Sequence, residues 1–514
     1  MQLLRIKQRT SGFRARLPGT QTTVANWPRY PAIFEINTWV WLSELSAKYG
    51  THTDLGSVNP KEWDAIARLG FDAVWFMGVW DRSPAGRAIA NANFNLLDEF
   101  RRTLPDFRFD DNVGSPYCVR QYVVDEHLGG PDGLAAARDQ LAIRGLRLLL
   151  DFVPNHVAPD HPWVTTHPEY FILGNADDIA NDPASYLTVN GTIFACGRDP
   201  YSPAWPDVLQ LNPFNKGLRK AATETISNIA TQCDGIRCDM AMLLVNSVVE
   251  RTWAERAGER PETEYWADVI PAVKKTCREF LFVAEVYWDM EWQLQQQGFD
   301  FCYDKRLYDR LEYGDAESVE LHLSADLSYL GKLLRFIENH DEARAAAAFP
   351  GARERAAAVI VATLPGARLF HEGQFEGRRI RVPVFLGRRP RETPDDDLLV
   401  FYTSLLEAVH NPLFRDGDWT VCPCSGWPDN PTFRNLMAWS WKNSELRSLI
   451  VVNFSDYWSQ ARVRVNWDGI RGKSFRSIDR LSGAVYERNG DDILNNGLYV
   501  ELGPWMYHFL EIAP

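Results

Sequence analysis

"GPDGLAAARDQLAIRGLRLLLDFVPNH", residues 130–156, holds the plan of the chain in miniature. Pro131 opens a helix, because its ring presets φ and its missing N–H is not needed in the first turn. Gly145 ends that helix, and "LRLLLDFV" follows as a continuous apolar strand. A strand apolar on both faces belongs in a sheet covered on both sides, as parallel sheets wrapped by helices are.

The same grammar recurs outward from this segment. "AIFEINTWVWL" (32–42) reads as a strand, and "PKEWDAIARLGFDAVWFMGVW" (60–80) as a helix, a stop at Gly70 and a buried strand. "DGIRCDM" (234–240), "EFLFVAEVYW" (279–288), "FDFCYD" (299–304), "LLRFIENHD" (333–341) and "GARLFHEG" (366–373) are further short apolar strands. That makes about eight, the count of a (β/α)8 TIM barrel. A doubly wound open sheet is the alternative, weakened because no Gly-rich phosphate loop follows the first strand. The fold class read here is α/β: a TIM barrel with a small domain inserted after strand three and a C-terminal antiparallel β-sandwich. The expected division is an N-terminal extension at 1–30, barrel at 31–156, inserted domain at 157–212, barrel again at 213–412 and sandwich at 413–514.

Composition narrows the function. A hydrophobic fraction of 45% and a charged fraction of 24% fit a globular enzyme. The net charge of -13 disfavours nucleic acid, whose phosphates need a concentrated basic face. No apolar run has the roughly 18 to 20 residues of a membrane span. The basic start "MQLLRIKQRTSGFRARLPGT" lacks the apolar segment of a secretory signal, so a cytoplasmic protein without a membrane partner is expected. Cys233, Cys238 and Cys302 read as small core residues, and "CPC" (422–424) has no second pair at zinc-site spacing.

Several strands end in polar groups. The third ends in Asp151, Asn155 and His156, the fourth in Arg237 and Asp239, the fifth in Glu285, and the seventh in Asn339, His340 and Asp341. A barrel gathers its C-terminal strand ends on one face. Three carboxylates, Asp239, Glu285 and Asp341, would then share a pocket with Arg237, His156 and His340. Glycoside hydrolysis or transfer uses such a set, with one carboxylate protonating the leaving oxygen and another attacking the anomeric carbon. Arg237 would keep Asp239 ionised.

"DFVPNH" (151–156), "GIRCD" (235–239), "VAEVYW" (283–288) and "FIENHD" (336–341) resemble, in order and strand placement, the four signature regions of the alpha-amylase family of retaining glycoside hydrolases and transglycosylases. "WPDVLQLN" (205–212) resembles a fifth region, and "GSPYCVRQYVVDEHLGG" (114–130) is similar to the segment carrying a sugar-stacking tyrosine. The resemblance implies Asp239 as nucleophile, Glu285 as acid and then base, and Asp341 as transition-state stabiliser. It implies Arg237, His156, His340 and Tyr117 as substrate-binding residues. No organic cofactor is implied; a structural calcium is, with Asn155 and Asp207 at matching positions. The partner is a carbohydrate, an α-glucan or α-glucoside. The expected activity is hydrolysis of malto-oligosaccharides, glycogen-derived dextrins or a small α-glucoside. Transglycosylation through the same intermediate is the alternative, and a non-catalytic carbohydrate-binding barrel a third reading.

Each residue also has a structural reading. Asp239 with Arg237 reads as an ion pair, Asp341 as a helix N-cap before "EARAAAAF", and Tyr117 as core packing. The sequence also departs from the family. In many starch-cleaving members a Lys and a His follow the nucleophile, whereas this chain has "DMAMLL" (239–244), so acceptor contacts must differ.

Overall fold

The structure, a computed structural model, describes residues 27–444 and 446–512. The basic segment 1–20 lies outside the described residues. Eight strands close a barrel in chain order, each parallel to its neighbours: β1 Ala32–Asn37, β2 Ala73–Met77, β3 Arg147–Phe152, β4 Gly235–Cys238, β5 Leu281–Ala284, β6 Phe301–Tyr303, β7 Leu333–Arg335 and β8 Ala367–His371. Every residue of these strands is buried. That is why they read as apolar runs without alternation.

The segment from 130 to 152 folds as its sequence implies. A helix spans Gly130–Ile143, Gly145 turns the chain at φ 77°, and β3 follows. Several strand readings overran the strands, and "EFLFVAEVYW" shrinks to Leu281–Ala284. In "AIFEINTWVWL" the strand stops at Asn37, whose side-chain oxygen accepts from the Val40 N–H and starts a helix over Thr38–Tyr49. In "LLRFIENHD" the strand ends at Arg335, and the polar residues that follow leave the barrel as a loop.

A four-stranded antiparallel sheet (His156–Val157, Tyr186–Val189, Thr192–Gly197 and Trp205–Gln210) emerges after β3. Between β2 and β3, helices Pro84–Ala92 and Phe94–Thr103 rise over the barrel mouth. They pack Phe100 and Leu104 against Leu386 from the segment after β8.

The C-terminal part is a six-stranded and a three-stranded antiparallel sheet. Leu449, Val451, Val463 and Val500 fill the space between them. The other face of the larger sheet joins the barrel core through Trp439, Trp441, Ile450 and Phe509. Trp439 and Trp441 donate from Nε1 to Thr363, to Oγ1 at 3.2 Å and to the carbonyl at 2.7 Å. Thr363 ends the helix Ala352–Thr363, which is buried continuously from Ala356 onward. No helix among the described residues is long and apolar enough to cross a membrane.

Candidate active site

Arg237 stands on β4, 1% exposed. Register places it beside Asp151 of β3 and Val283 of β5. Its Nη1 donates to Asp239 Oδ1 at 2.8 Å, and its Nη2 lies 2.8 Å from Glu285 Oε2. Asp151 and Asp341 are farther out, at 3.8 and 4.0 Å. The ring of Tyr117 lies 5.1 Å from its Cζ and that of Trp75 5.5 Å. One guanidinium therefore compensates a cluster of carboxylates, each of which would be too costly to bury alone. The expectation that Arg237 serves Asp239 is broadened, because the cation is shared with Glu285.

Sharing sets the protonation states. Burial raises the Asp239 carboxyl above its ordinary range, and Arg237 offsets this only in part. Burial likewise lifts Glu285, to about 7; Arg237 opposes, and Asp239 and Asp341 add to the rise. Two contacts orient Glu285. The Met240 N–H donates to Oε2 at 2.6 Å, and the Tyr287 hydroxyl to Oε1 at 2.9 Å. Met240 adopts φ 44°, a left-handed conformation uncommon outside glycine. Sequence reasoning had assigned neither Met240 nor Tyr287 to the site. The run "EVY" places Tyr287 two residues past Glu285, a signal available in hindsight.

Asp341 belongs to a second chain of contacts. His340 Nδ1 lies 2.5 Å from Glu35 Oε1, and its Nε2 lies 2.9 Å from Asp341 Oδ2 and 2.5 Å from the Tyr117 hydroxyl. An imidazolium satisfies both carboxylates, whereas a neutral ring has one N–H for two of them. Burial disfavours that cation, but Asp341 and Glu35 outweigh it and hold the His340 pKa well above the usual value. In return, burial of Asp341 is overridden by His340 and Arg237, which bring its carboxyl down to about 2. Asn339 Oδ1 accepts from the backbone N–H groups of Asp341 and Glu342 at 2.9 and 2.8 Å, fixing the loop. Asp341 is not a helix cap, since the next helix begins at Ala345 with Arg344 at its cap. Glu35 is the carboxylate the sequence reading missed, although a lone acid inside "AIFEIN" was visible.

These groups open onto a cavity of about 490 Å³. Tyr117, His156, Asp239, Glu285 and Asp341 line it together, with Arg237 and His340 buried behind them, whereas Asn155 lies outside the lining. Burial keeps His156 neutral, with a pKa of about 4, and its ring meets that of Trp205 edge-on at 5.3 Å. Ile89, Ala90, Leu96 and Phe385 form the apolar outer wall. Asp151 accepts from the Gly78 N–H at 2.9 Å and braces the barrel from behind.

The calcium expectation does not fit the residues present. The Gln210 amide donates from Nε2 to Asn155 O at 3.0 Å, Asn155 Oδ1 at 2.9 Å and Leu211 O at 2.9 Å. The oxygens that would face a cation thus face an amide nitrogen. Asp207 lines the cavity described above instead. No group of three or more His, Cys, Asp or Glu side chains among the described residues could hold a metal, and Ca²⁺ wants six to eight oxygens. Chelation with EDTA is expected to leave the unfolding midpoint and turnover unchanged; a drop in either that only Ca²⁺ reverses would contradict this.

No family profile matches the chain. The chain is 25% identical over 414 residues, 76% of its length and 51% of the relative's, to the alpha-amylase MalA of Haloarcula japonica. It is 28% identical over 155 residues, 29% of this chain and 20% of the relative, to an alpha-1,4-glucan:maltose-1-phosphate maltosyltransferase of Rhodospirillum rubrum. The chain spans about half or less of the length of these curated relatives. Among solved structures, a maltogenic alpha-amylase, AmyB from Thermotoga neapolitana, superposes with TM-score 0.66 at 17% identity, covering 95% of this chain and 99% of that one. An alpha-amylase from Geobacillus thermoleovorans superposes with TM-score 0.65 at 16% identity, covering 95% and 99%. In sequence across 76% of its length, and in its closed barrel, the chain is similar to proteins of the alpha-amylase family.

Proposed function

We propose that the protein is a retaining glycoside hydrolase acting on α-glucosidic bonds of malto-oligosaccharides, dextrins or a small α-glucoside. The carrying observation is that Asp239 and Glu285 bind adjacent nitrogens of one buried guanidinium. Two carboxyls on one planar fork lie side by side. That supports the spacing of about 5–5.5 Å used by retaining enzymes over the wider gap that admits a water between them. Glu285 protonates the glycosidic oxygen as Asp239 attacks the anomeric carbon. Glu285, now ionised, then takes a proton from water as water displaces Asp239. Asp341, anionic and held by His340, binds sugar hydroxyls beside the cationic transition state. His156 and Tyr117 hold the same sugar. A cytoplasmic setting is part of this reading, supported by eight cysteines that are all free.

Interception of the glycosyl-enzyme by a sugar hydroxyl is the second reading, favoured by the maltosyltransferase relatives. A phosphorylated donor fits the cavity poorly. Asp207, Asp239, Glu285 and Asp341 line it, with no Lys or Arg among the described lining residues. A phosphate dianion would meet like charge there. An uncharged saccharide donor is therefore expected. The test is a mass-spectrometric time course in ¹⁸O-labelled water with maltotetraose, maltose, sucrose and maltose 1-phosphate. Label in shortened products supports hydrolysis; rearranged unlabelled products indicate transfer. Turnover of maltose 1-phosphate alone would overturn the uncharged-donor assignment.

The protonation states set a pH profile. The reaction needs Glu285 protonated, so activity falls as pH rises through about 7. It needs Asp239 ionised, so activity falls again as pH drops through its pKa, which burial holds above the ordinary carboxylate range. A bell with its maximum on the acid side of 7 is expected in kcat/KM. A profile still rising at pH 8 would contradict the Glu285 assignment.

A further inference from the structure

Two unlike sets of residues line the cavity at the barrel mouth. Tyr117, His156, Asp239, Glu285 and Asp341 are the groups that hold and cleave a sugar. Much of the remaining wall is apolar: Ile89, Ala90, Leu96, Val208, Met240 and Phe385. The first two come from the helix Pro84–Ala92 and the third from Phe94–Thr103. Aliphatic side chains cannot replace the hydrogen bonds that a sugar hydroxyl makes with water, and a hydroxyl buried unpaired is costly.

The polar groups beside the leaving oxygen are already spent. Met240 and Tyr287 are the lining residues that touch Glu285. The Met240 N–H and the Tyr287 hydroxyl both donate to its carboxylate, so neither is left to donate to a second sugar. Elsewhere on the wall, the Asn93 side-chain oxygen accepts from the Asn95 and Leu96 N–H groups at 3.0 and 3.3 Å, capping their helix. The Ser115 hydroxyl oxygen accepts from the Tyr117 N–H at 3.2 Å. What is left over, chiefly Asp207, is too little for a second sugar ring, which carries a hydroxyl on most of its carbons.

We infer that the preferred substrate is an α-glucoside whose leaving group is an apolar alcohol, alkyl or aryl, rather than a second sugar. This rests on the reading of Glu285 as acid and Asp239 as nucleophile, and it selects the small α-glucoside from the substrates proposed above. The glucosyl ring takes the polar set, and the aglycone lies against Met240 and the wall of Ile89, Leu96 and Phe385. The Glu285 proton passes to the alcohol oxygen as its bond to the anomeric carbon breaks and Asp239 bonds that carbon. An apolar alcohol then departs neutral, having needed no partner beyond Glu285. A volume of about 490 Å³ suits such a ligand, and so does a mostly apolar wall with a few polar groups to fix orientation.

The test is a series of α-glucosides with methyl, butyl and hexyl leaving groups, beside maltose. All four leaving groups need protonation, and the sugar hydroxyl is the most acidic, so acidity favours maltose and any alkyl advantage comes from binding. kcat/KM should rise about fourfold per methylene until the wall is covered, the scale of burying one CH₂. The hexyl glucoside should exceed maltose by about tenfold or more. Ile89→Gln keeps a good helix former and sets an amide in the wall at a half-buried position. It should lower the hexyl-to-maltose ratio about tenfold with the melting point unchanged. A flat series, or maltose turned over faster than the hexyl glucoside, would overturn the inference and leave the roles of the carboxylates intact. If neither these compounds nor α-glucosyl fluoride were turned over, the carboxylate assignment would fail instead. Calorimetric affinities of the same series would then decide the wall: rising with chain length if it seats an apolar aglycone, flat if it does not.

Discussion

Asp239→Asn is expected to lower kcat by on the order of 10⁴-fold or more, the scale of removing an attacking group. The replacement keeps shape and volume and leaves an oxygen to accept from Arg237 Nη1. It removes the charge that would bond the anomeric carbon. Stability should not suffer with it. Deleting one partner of a buried ion pair is costly when it strands the other charge. Arg237 is not stranded, because Glu285 lies 2.8 Å from Nη2 and Asp151 3.8 Å from Nη1. Burial moreover opposes the Asp239 charge in the native state. The melting point should therefore stay at or above the parent's while turnover of an aryl α-glucoside disappears. Residual activity within tenfold of the parent would remove Asp239 from the nucleophile's role.

Glu285→Gln separates the two steps. Loss of a general acid and base costs roughly 10²–10⁴-fold on a sugar leaving group, which departs only when protonated. An α-glucosyl fluoride needs no such help. With it the first step should survive, and the glycosyl-Asp239 intermediate should accumulate for want of a base. Azide, which attacks without giving up a proton, should then restore turnover and release the α-glycosyl azide, the product of two inversions. A β-azide, or azide rescue of Asp239→Asn in place of Glu285→Gln, would reverse the roles of the two carboxylates.

Much of this could be read from the sequence because parallel strands are buried on both faces. "LRLLLDFV", "DAVWFM" and "GARLF" announce themselves by composition alone. Their ends were harder to read: Asn37 stops β1 by capping a helix, a choice made by one side-chain oxygen. The carboxylates were legible as polar residues closing apolar runs. Glu35 was not assigned, since its partner His340 lies 305 positions away and no local spacing links them. The calcium expectation failed for a related reason. Asn155 matches a familiar position, but what fills its oxygens is the side chain of Gln210, 55 residues on. The left-handed Met240 and Trp288 were illegible in principle, because neither residue type signals that conformation.

The helix Ala352–Thr363 has almost no solvent face of its own, lying between the barrel and the sheet that carries Trp439 and Trp441. A helix apolar all round survives only inside something larger. The melting behaviour follows. Barrel and sheet cannot come apart without baring that helix, so calorimetry should register one heat-absorption peak, and a chain cut after residue 412 should aggregate rather than fold. Two well-separated peaks would disprove this. The tail is thus no passenger: recombination between relatives can exchange it only together with the helix surface against which it was fitted.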